Sequence, residues 1–399
     1  VRANVTMNFR IPFSGRGHVF TEEEIAVAVK AMRSANPLTQ GAYQTQFQKK
    51  FSEYVSAEQS FAVNNATNGL ELAAQLCQFE PGDEVIIPAH TFTSSAYPFV
   101  KAGAKVVWAD IDLATRVVSA ETISRCVGPR TRALIVPHLY GFAANMPEIM
   151  AVARERNIIV VEDAAQALGV SIDGQMAGTF GDLGVYSFHS HKNMTTLGEG
   201  GMLVVNRSDW ANVIPMLRHN GHCGYPQDRE DYWIPAMGNV DVVELNGKSL
   251  WPNNYCLGEI ECAIGTKLLE RADQMNEEKR DRAMIFIDAL SDYTELVFHR
   301  ESSTRHNYHL LVAHVQNGLR DEFMRRMAYH HGIQCVVQYY PLNRYPLYQK
   351  LGLGNADVPI TDEFFDNMVS FPFNHLLTDD QITDIITSAR ETLDHLRHA

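Results

Sequence analysis

Short runs of apolar residues recur along the first half of the chain, and segments with apolar residues at helical spacing lie between them. The runs that predict strands are 61–63, 84–88, 105–109, 133–137, 158–161 and 202–205. Most are apolar at nearly every position, which is typical of strands that are buried on both faces. The segments between them, such as 68–78 and 95–102, predict helices. This alternation predicts an α/β fold with a mostly parallel sheet covered by helices.

Two further helices are predicted before the first strand. The segment 21–33 begins with acidic residues and carries Ile25, Val29 and Met32 at helical spacing, as a capped helix does. The segment 43–54 has a similar pattern.

The pattern changes after residue 220. The segment 221–250 mixes Gly, Pro, Asp, Asn and Trp without a clear period and predicts a long functional or interface loop. Helix resumes near Glu259, and a charged helical run follows at 277–290. Strands are predicted at 305–315 and 334–340, with helices between them. We expect a large domain over residues 1–275 and a smaller α+β domain over residues 276–399.

The composition narrows the classes of function. The formal net charge is −13 and the basic residues do not cluster, which argues against a general nucleic-acid-binding protein. No apolar run approaches the roughly 20 residues needed to cross a bilayer, and the first residues lack the apolar core of a signal peptide. The six cysteines have neither the spacing of a zinc site nor the density of a disulfide scaffold. We expect a cytoplasmic protein with reduced thiols and no membrane contact.

One lysine and one aspartate carry the strongest chemical signal. Lys192 lies in the polar, glycine-rich segment 187–201 after an apparent strand, and Asp163 follows the apolar run 158–161. The carboxyl ends of strands are where ligands bind in α/β folds. Pyridoxal phosphate (PLP) needs an amine that forms a Schiff base and an acid that keeps its ring nitrogen protonated. Each residue alone is more often a surface lysine or a helix cap, but together they predict PLP.

The motifs around this pair resemble those of the DegT/DnrJ/StrS sugar aminotransferases. The family pattern Glu-Asp-x-Ala-Gln, followed by Ser-Phe-x-x-x-Lys-x-x-Thr-x-Gly-Glu-Gly-Gly, is matched almost throughout. Further blocks that resemble the family occur in the expected order at 88–95, 137–141 and 253–265, so the resemblance covers nearly the whole chain. It implies a fold-type I PLP-dependent aminotransferase, with a mostly parallel seven-stranded sheet in the large domain and a smaller α+β C-terminal domain.

The resemblance also implies roles for residues around the cofactor ring. Lys192 is the implied catalytic residue and the covalent attachment point. Asp163 is implied to contact the ring nitrogen, and Gln166, about one turn later, the ring oxygen. Phe92 matches the aromatic residue that stacks on the pyridine ring.

The cofactor phosphate is expected at the start of the helix near residue 68. The amides of Ala66 and Thr67 and the hydroxyl of Thr67 are the candidate ligands, because a helix N-terminus presents free N–H groups to anions. Ser187 matches a second phosphate ligand. Asn254 corresponds to a residue that reaches the phosphate of the neighbouring subunit, so the resemblance implies a homodimer with shared active sites.

Several positions depart from the family pattern. Asn-Ala-Thr at 65–67 replaces Ser-Gly-Thr, and Leu197 adds one residue to the turn after Lys192. Cys256 replaces an arginine, and Gln338 stands where a histidine is common before Tyr-x-Pro. We expect these changes to affect substrate contacts and to leave the cofactor chemistry intact.

Two histidines, His189 and His191, directly precede the lysine. We expect them to line the turn, and we predict no metal site because no acid-rich cluster accompanies them.

The reaction implied by the resemblance moves an amino group from an amino acid, with L-glutamate the expected donor, to a keto-sugar that is expected to be nucleotide-linked. A cyclitol ketone is an alternative acceptor. The PLP-dependent sugar dehydratases of the same family are a second alternative. They replace the lysine by histidine, and the spacing from Ser187 favours Lys192 over His191 as the aligned residue. A non-catalytic regulatory protein that keeps the PLP pocket is a third.

Overall fold

The computed structural model describes residues 8–13, 18–224, 238–299 and 304–398. The helices in this part of the chain are α1 (Glu22–Ser34), α2 (Ala42–Val55), α3 (Ala66–Leu76), α4 (Tyr97–Lys101), α5 (Ala120–Ser124), α6 (Met146–Glu155), α7 (Ser208–Ala211), α8 (Ile214–Arg218), α9 (Glu259–Leu269), α10 (Ala272–Ala289), α11 (Arg320–Tyr329), α12 (Pro346–Lys350), α13 (Pro359–Asn367) and α14 (Asp379–His398). The strands are β1 (Ser60–Val63), β2 (Glu84–Pro88), β3 (Lys105–Ala109), β4 (Thr131–Pro137), β5 (Ile159–Asp163), β6 (Ser171–Ile172), β7 (Gln175–Met176), β8 (Leu183–Ser187), β9 (Gly201–Val205), β10 (His222–Cys223), β11 (Asn239–Val240), β12 (Val243–Leu245), β13 (Lys248–Leu250), β14 (Leu296–Phe298), β15 (Val312–Val315) and β16 (Met368–Ser370).

The largest sheet has seven strands in the order β1-β9-β8-β5-β4-β2-β3. Strands β8, β5, β4, β2 and β3 run parallel to one another. Strand β9 is antiparallel to both of its neighbours, β1 and β8. The predicted α/β fold with a mostly parallel sheet is confirmed, and β9 is the strand that reverses direction.

Alternate residues of the central strands pack into different hydrophobic cores. In β4, Leu134 and Val136 belong to the core that contains α6, whereas Ala133 and Ile135 belong to the core that contains α3. A strand with both faces covered must be apolar at successive positions, which explains the uninterrupted apolar runs.

The predicted N-terminal helices are both present. Thr21 caps α1, with its side chain accepting from the Glu24 amide and the Glu24 carboxylate accepting from the Thr21 amide. The apolar face of α1 does not pack on the core of this chain, because Ile25, Val29 and Met32 are all exposed in the single chain. The helical spacing predicted the helix, but it did not identify the face that packs on this subunit.

The C-terminal part of the chain forms a second, three-stranded antiparallel sheet in the order β14-β15-β16. The strand predicted at 305–315 is shorter than expected, because the residues before Val312 bond to loops of the first sheet. For example, the Asn307 side-chain amide donates to the carbonyls of Gln166 and Leu168. Helix α10 crosses residue 275, and the domain division at that position stays a prediction.

The prediction of a strand at 334–340 is wrong. The only ladder contact of this segment among the described residues is an isolated bridge between Val336 and Ser370. The segment instead places Gln338 and Tyr339 in the wall of the main cavity.

The segment 221–250 is partly regular. Its described residues form two short antiparallel pairs, β10 with β11 and β12 with β13. Residues 225–237, where the predicted loop continues, lie outside the described part of the chain. No helix among the described residues combines the length and apolarity needed to cross a membrane.

A buried carboxylate, that of Glu162, connects the central strands near their carboxyl ends. Glu162 of β5 is fully buried and accepts from the amides of Gly178, Phe180 and Gly181 at 2.7, 2.6 and 2.7 Å. Its Oε2 also lies 2.8 Å from Nε2 of the buried His138. His138 Nδ1 accepts from the Ala144 amide, so Nε2 carries the proton and donates to Glu162. One carboxylate thus ties β5 to the loop after β4 and to the turn before β8.

We predict that Glu162→Gln destabilises the fold by about 2–4 kcal/mol, because the amide removes the charge and turns an NH2 group toward donors that need an acceptor. The measurement is the midpoint of guanidinium unfolding. Glu121→Gln is the control, since Glu121 is exposed and pairs only with Arg125 of the next turn. An unchanged midpoint for Glu162→Gln would show that the buried carboxylate does not hold these elements.

Candidate active site

The main cavity, of about 570 Å³, lies at the carboxyl ends of the parallel strands. Its wall includes Pro137, Asp163 and Ser187, which are the last residues of β4, β5 and β8. The start of α3, the turn after β8, helix α10 and the segment around Tyr339 complete the wall. The cavity therefore lies where a parallel sheet is expected to bind its ligand.

Asp163 is nearly buried, and hydrogen bonds fix its carboxylate. Ser95 Oγ donates to Oδ2 at 2.6 Å, and the Ala165 amide donates to Oδ1 at 3.1 Å. Each carboxylate oxygen retains a further lone pair for a donor in the cavity. The predicted acid is thus held at the strand end with acceptor capacity to spare.

Gln166 lies beside Asp163 in the cavity wall and is held at both ends of its amide. Its Oε1 accepts from the Tyr140 amide at 2.7 Å, and its Nε2 donates to the Tyr339 hydroxyl at 3.0 Å. The rings of Tyr140 and Tyr339 lie parallel, with centroids 6.3 Å apart. The side chain of Gln166 is therefore positioned before any ligand binds.

The predicted phosphate ligands lie together at one end of the cavity. Ala66 and Thr67 begin α3, and both line the cavity with Ser187. Asn65 caps the helix by accepting from the Asn68 amide at 2.9 Å, which leaves the first amides of the helix available. The Thr67 hydroxyl lies 2.9 Å from the Ser94 hydroxyl. This arrangement suits an anion at a helix N-terminus.

Lys192 projects from the turn that connects β8 to β9. Backbone bonds close this turn, including Phe188 N to Gly200 O at 2.8 Å and Thr196 N to Phe188 O at 3.0 Å. Leu197, the added residue, adopts a left-handed conformation with φ of 64°. Withdrawal of Lys192 from water lowers its pKa to about 8, and the charge of Asp163 opposes part of that shift. The lysine is therefore partly neutral near physiological pH.

Phe92 lines the cavity but is 49% exposed in the single chain. Its ring lies edge-on to Tyr339, with centroids 5.9 Å apart. The ring therefore has a free face, as stacking on a ligand requires, and the stacking itself stays a prediction.

Asn254 is exposed and does not line the main cavity of the described chain. It pairs with His219 through an isolated antiparallel bridge. The other predicted cofactor residues, Ala66, Thr67, Phe92, Asp163, Gln166, Ser187 and Lys192, all line the cavity. Asn254 is thus the one predicted ligand that this subunit does not bring to its own site.

The sequence motifs did not identify every polar group at the site. Ser95 was part of a recognised block, but nothing in its spacing indicated the bond to Asp163. Tyr339 and Lys279 also line the cavity, from segments far along the chain. His189 and His191, which were expected to line the turn, also line the cavity.

The residues present fit PLP. Asp163 offers an acceptor, Lys192 an amine of lowered pKa, and α3 free amides, which match the ring nitrogen, the aldehyde and the phosphate of that cofactor. Within the described residues, no group of three or more His, Cys, Asp or Glu side chains is arranged to hold a metal ion. The absence of a metal stays a prediction.

Comparisons with known proteins agree with this geometry. The family model described as the DegT/DnrJ/EryC1/StrS aminotransferase family matches residues 20–390. A GDP-perosamine synthase of Caulobacter vibrioides is 30% identical over 358 residues, which are 88% of this chain and 91% of that protein. The L-glutamine:2-deoxy-scyllo-inosose aminotransferase of Streptomyces kanamyceticus is 27% identical over 406 aligned residues, covering 94% of this chain and 92% of that protein.

A solved structure has the same fold. The aminotransferase from Psychrobacter cryohalolentis superposes with a TM-score of 0.87 at 26% identity, covering 97% of this chain and 100% of that one. The matched family spans the cavity, the lysine and the carboxylate described above. The chain therefore belongs to the DegT/DnrJ/EryC1/StrS aminotransferase family and is a PLP-dependent aminotransferase.

Proposed function

We propose that the protein moves the amino group of L-glutamate to the keto group of a nucleotide-linked sugar. The observation that carries the proposal is that Lys192 and Asp163 line one cavity, with the start of α3 at its end. The similarity to a GDP-perosamine synthase supports a sugar acceptor. The same cavity must receive donor and acceptor in turn, because it holds the candidate covalent residue.

Lys192 performs the covalent and proton-transfer work of the chain. When bound, PLP supplies the electron sink that allows a proton to leave the donor's α-carbon. Lys192 Nζ would hold the cofactor covalently, and as a free amine it would take up and return that proton. A pKa of about 8 suits both tasks, since the amine can gain or lose a proton near neutral pH.

Asp163 and Gln166 hold the ring from two sides. The Asp163 carboxylate, which Ser95 and the Ala165 amide fix, would accept from the ring nitrogen and keep its proton in place. Gln166, held by the Tyr140 amide and the Tyr339 hydroxyl, would contact the ring oxygen. This preset geometry orients the ring without rearrangement on binding.

A cyclitol ketone is the second candidate acceptor, and the similarity to a scyllo-inosose aminotransferase favours it. Competition between a nucleoside diphosphate and the acceptor separates the two. Inhibition is expected for a nucleotide-linked sugar, and its absence would favour the cyclitol. The dehydratase and the non-catalytic alternatives both predict that L-glutamate leaves the cofactor unconverted.

A homodimer with shared active sites is also proposed. Asn254 is exposed outside its own cavity, as expected for a residue that serves the neighbouring subunit. The exposed apolar side chains Ile25, Val29 and Met32 of α1 offer a surface that a second subunit can cover.

We place the protein in the cytoplasm. The six cysteines are all free thiols, which is typical of a reducing compartment.

Lys192→Ala is expected to fold but to lose activity completely. The measurement is the absorbance spectrum of the PLP-loaded protein before and after addition of L-glutamate. The wild-type band should be replaced by that of the pyridoxamine form, and Lys49→Ala, at an exposed helical position, should behave as wild type. Conversion by Lys192→Ala would refute the assigned role.

The rate of PLP uptake by the apoprotein should rise with pH and level off above about 8. The neutral amine is the reactive form, and its fraction grows as the pH passes the lowered pKa of Lys192. The measurement is the initial rate of covalent uptake from pH 6 to 10, with Lys192→Ala as the blank. An uptake rate that keeps rising until the pH reaches 10.5, the ordinary lysine pKa, would show that the pKa of Lys192 is not lowered.

Mixed dimers test the shared site. Lys192→Ala, expected to be inactive alone, and Asn254→Ala, expected to have low activity alone, should regain activity when their subunits are exchanged, because one of the two sites then has both residues. Activity is measured with L-glutamate and a keto-sugar acceptor. Subunit exchange without any recovery would place Asn254 in its own subunit's site or outside the active site.

A further inference from the structure

A second lysine, Lys279, lies in the wall of the same cavity with no role assigned so far. It projects from α10, and only 5% of its surface is exposed. Its Nζ donates to Asn193 Oδ1 at 3.0 Å and to the His309 carbonyl at 2.7 Å. A protonated lysine has three N–H groups, so one forms no hydrogen bond in the described chain. The centroid of the Phe373 ring, which also lines the cavity, lies 5.6 Å from Nζ and adds a cation-π contact.

Lys279 has no acidic partner in the described part of the chain. No Asp or Glu of those residues forms an ion pair with its Nζ, and the charge that affects its pKa is that of another cation, Lys192. Burial, with a smaller contribution from Lys192, lowers the pKa of Lys279 to about 7. An unpaired buried amine is costly, and such groups are more common where a ligand supplies the missing charge.

The surroundings of Lys279 are rich in nitrogen groups. Its charge acts on His309 and His375, lowering the pKa of both together with burial. His309 Nδ1 lies 3.2 Å from the same Asn193 oxygen that Lys279 contacts. Asn193 directly follows Lys192, so the second amine is linked to the reactive turn through one side chain.

The cofactor phosphate does not account for this amine. The anion-binding end of the cavity is built by α3 and Ser187, whereas Lys279 belongs to α10 and contacts the residue after Lys192. The position of Lys279 beside the turn that carries Lys192 indicates an anionic group on the substrate that reacts at Lys192. A carboxylate is the anionic group common to amino-acid donors and the keto acids they become.

We propose that Lys279 Nζ is the anchor for a carboxylate of the amino donor, through its third N–H group, which forms no hydrogen bond with the described residues. This inference rests on the proposed function for the identity of the donor. Lys279 acts as a binding and positioning residue. The hydrogen bonds to Asn193 and His309 fix its direction, and the incoming carboxylate supplies the counter-charge that this part of the cavity lacks.

The test compares PLP-loaded wild type with Lys279→Met, which keeps an unbranched side chain one heavy atom shorter and removes the charge. Glutarate, an unreactive dicarboxylate, is titrated by its effect on the cofactor absorbance, and L-glutamate is followed in single-turnover conversion. We expect roughly 10- to 100-fold weaker apparent affinity for both compounds, with a smaller change in the maximal conversion rate. Lys279→Arg should recover part of the affinity.

Two controls separate anchoring from a structural role. Reaction of the bound cofactor with hydroxylamine, which has no carboxylate, should be unchanged in Lys279→Met, and Lys49→Met should match wild type throughout. If Lys279→Met does not take up PLP, Lys279→Gln, which keeps a hydrogen-bond donor, replaces it in the same titrations.

Unchanged affinity of the variant for glutarate and L-glutamate would overturn the inference, as would an equal loss of hydroxylamine reactivity. Failure of the proposed function gives a different result. In that case wild type binds glutarate through Lys279, but L-glutamate leaves the cofactor unconverted.

Discussion

The burial of Glu162 in the centre of the sheet is the constraint on which the site depends. Its carboxylate is removed from water and must be satisfied by the chain, and it draws in three backbone amides and the His138 ring. These partners come from the loop after β4 and from the turn that leads into β8. The residue that follows Glu162 is Asp163, and β8 leads to Ser187 and then to Lys192. Satisfying one buried carboxylate therefore sets the relative positions of the groups that we propose to hold the cofactor.

The balance of charge in the cavity explains the chemistry of its lysines. Both Lys192 and Lys279 are withdrawn from water, and burial is the main cause of the lowered pKa of each. Asp163 opposes the shift at Lys192, while at Lys279 the neighbouring cation adds to it. The lowered pKa values of the proposed Schiff-base lysine, Lys192, and of the proposed carboxylate anchor, Lys279, thus arise from the same physical effect in two electrostatic settings.

Local sequence patterns correctly predicted two kinds of element: helices that begin at a local capping motif, and strands that are buried on both faces. The runs 85–88, 133–137 and 158–161, which contribute to β2, β4 and β5, are apolar because both faces of these strands are covered, and α1 begins directly after its capping residue Thr21. The strand prediction failed at 334–340, where the segment lines the cavity with Gln338 and Tyr339 and does not join a sheet. It was also incomplete before Val312, where buried side chains bond to another part of the fold.

By itself the sequence determined the class of fold and indicated the candidate lysine, its candidate acidic partner and the start of the candidate phosphate-binding helix, since each is encoded in a short segment. Only the tertiary structure decided which distant groups complete the site. Ser95 is 68 residues from the aspartate it holds, Tyr339 is 173 residues from Gln166, and Lys279 is 86 residues from Asn193. No local pattern records such pairs, because the crossing of strands and the packing of α10 against the cavity create them. The same packing removes the lysines from water, and that desolvation, which sets their pKa values, exists only in the folded chain.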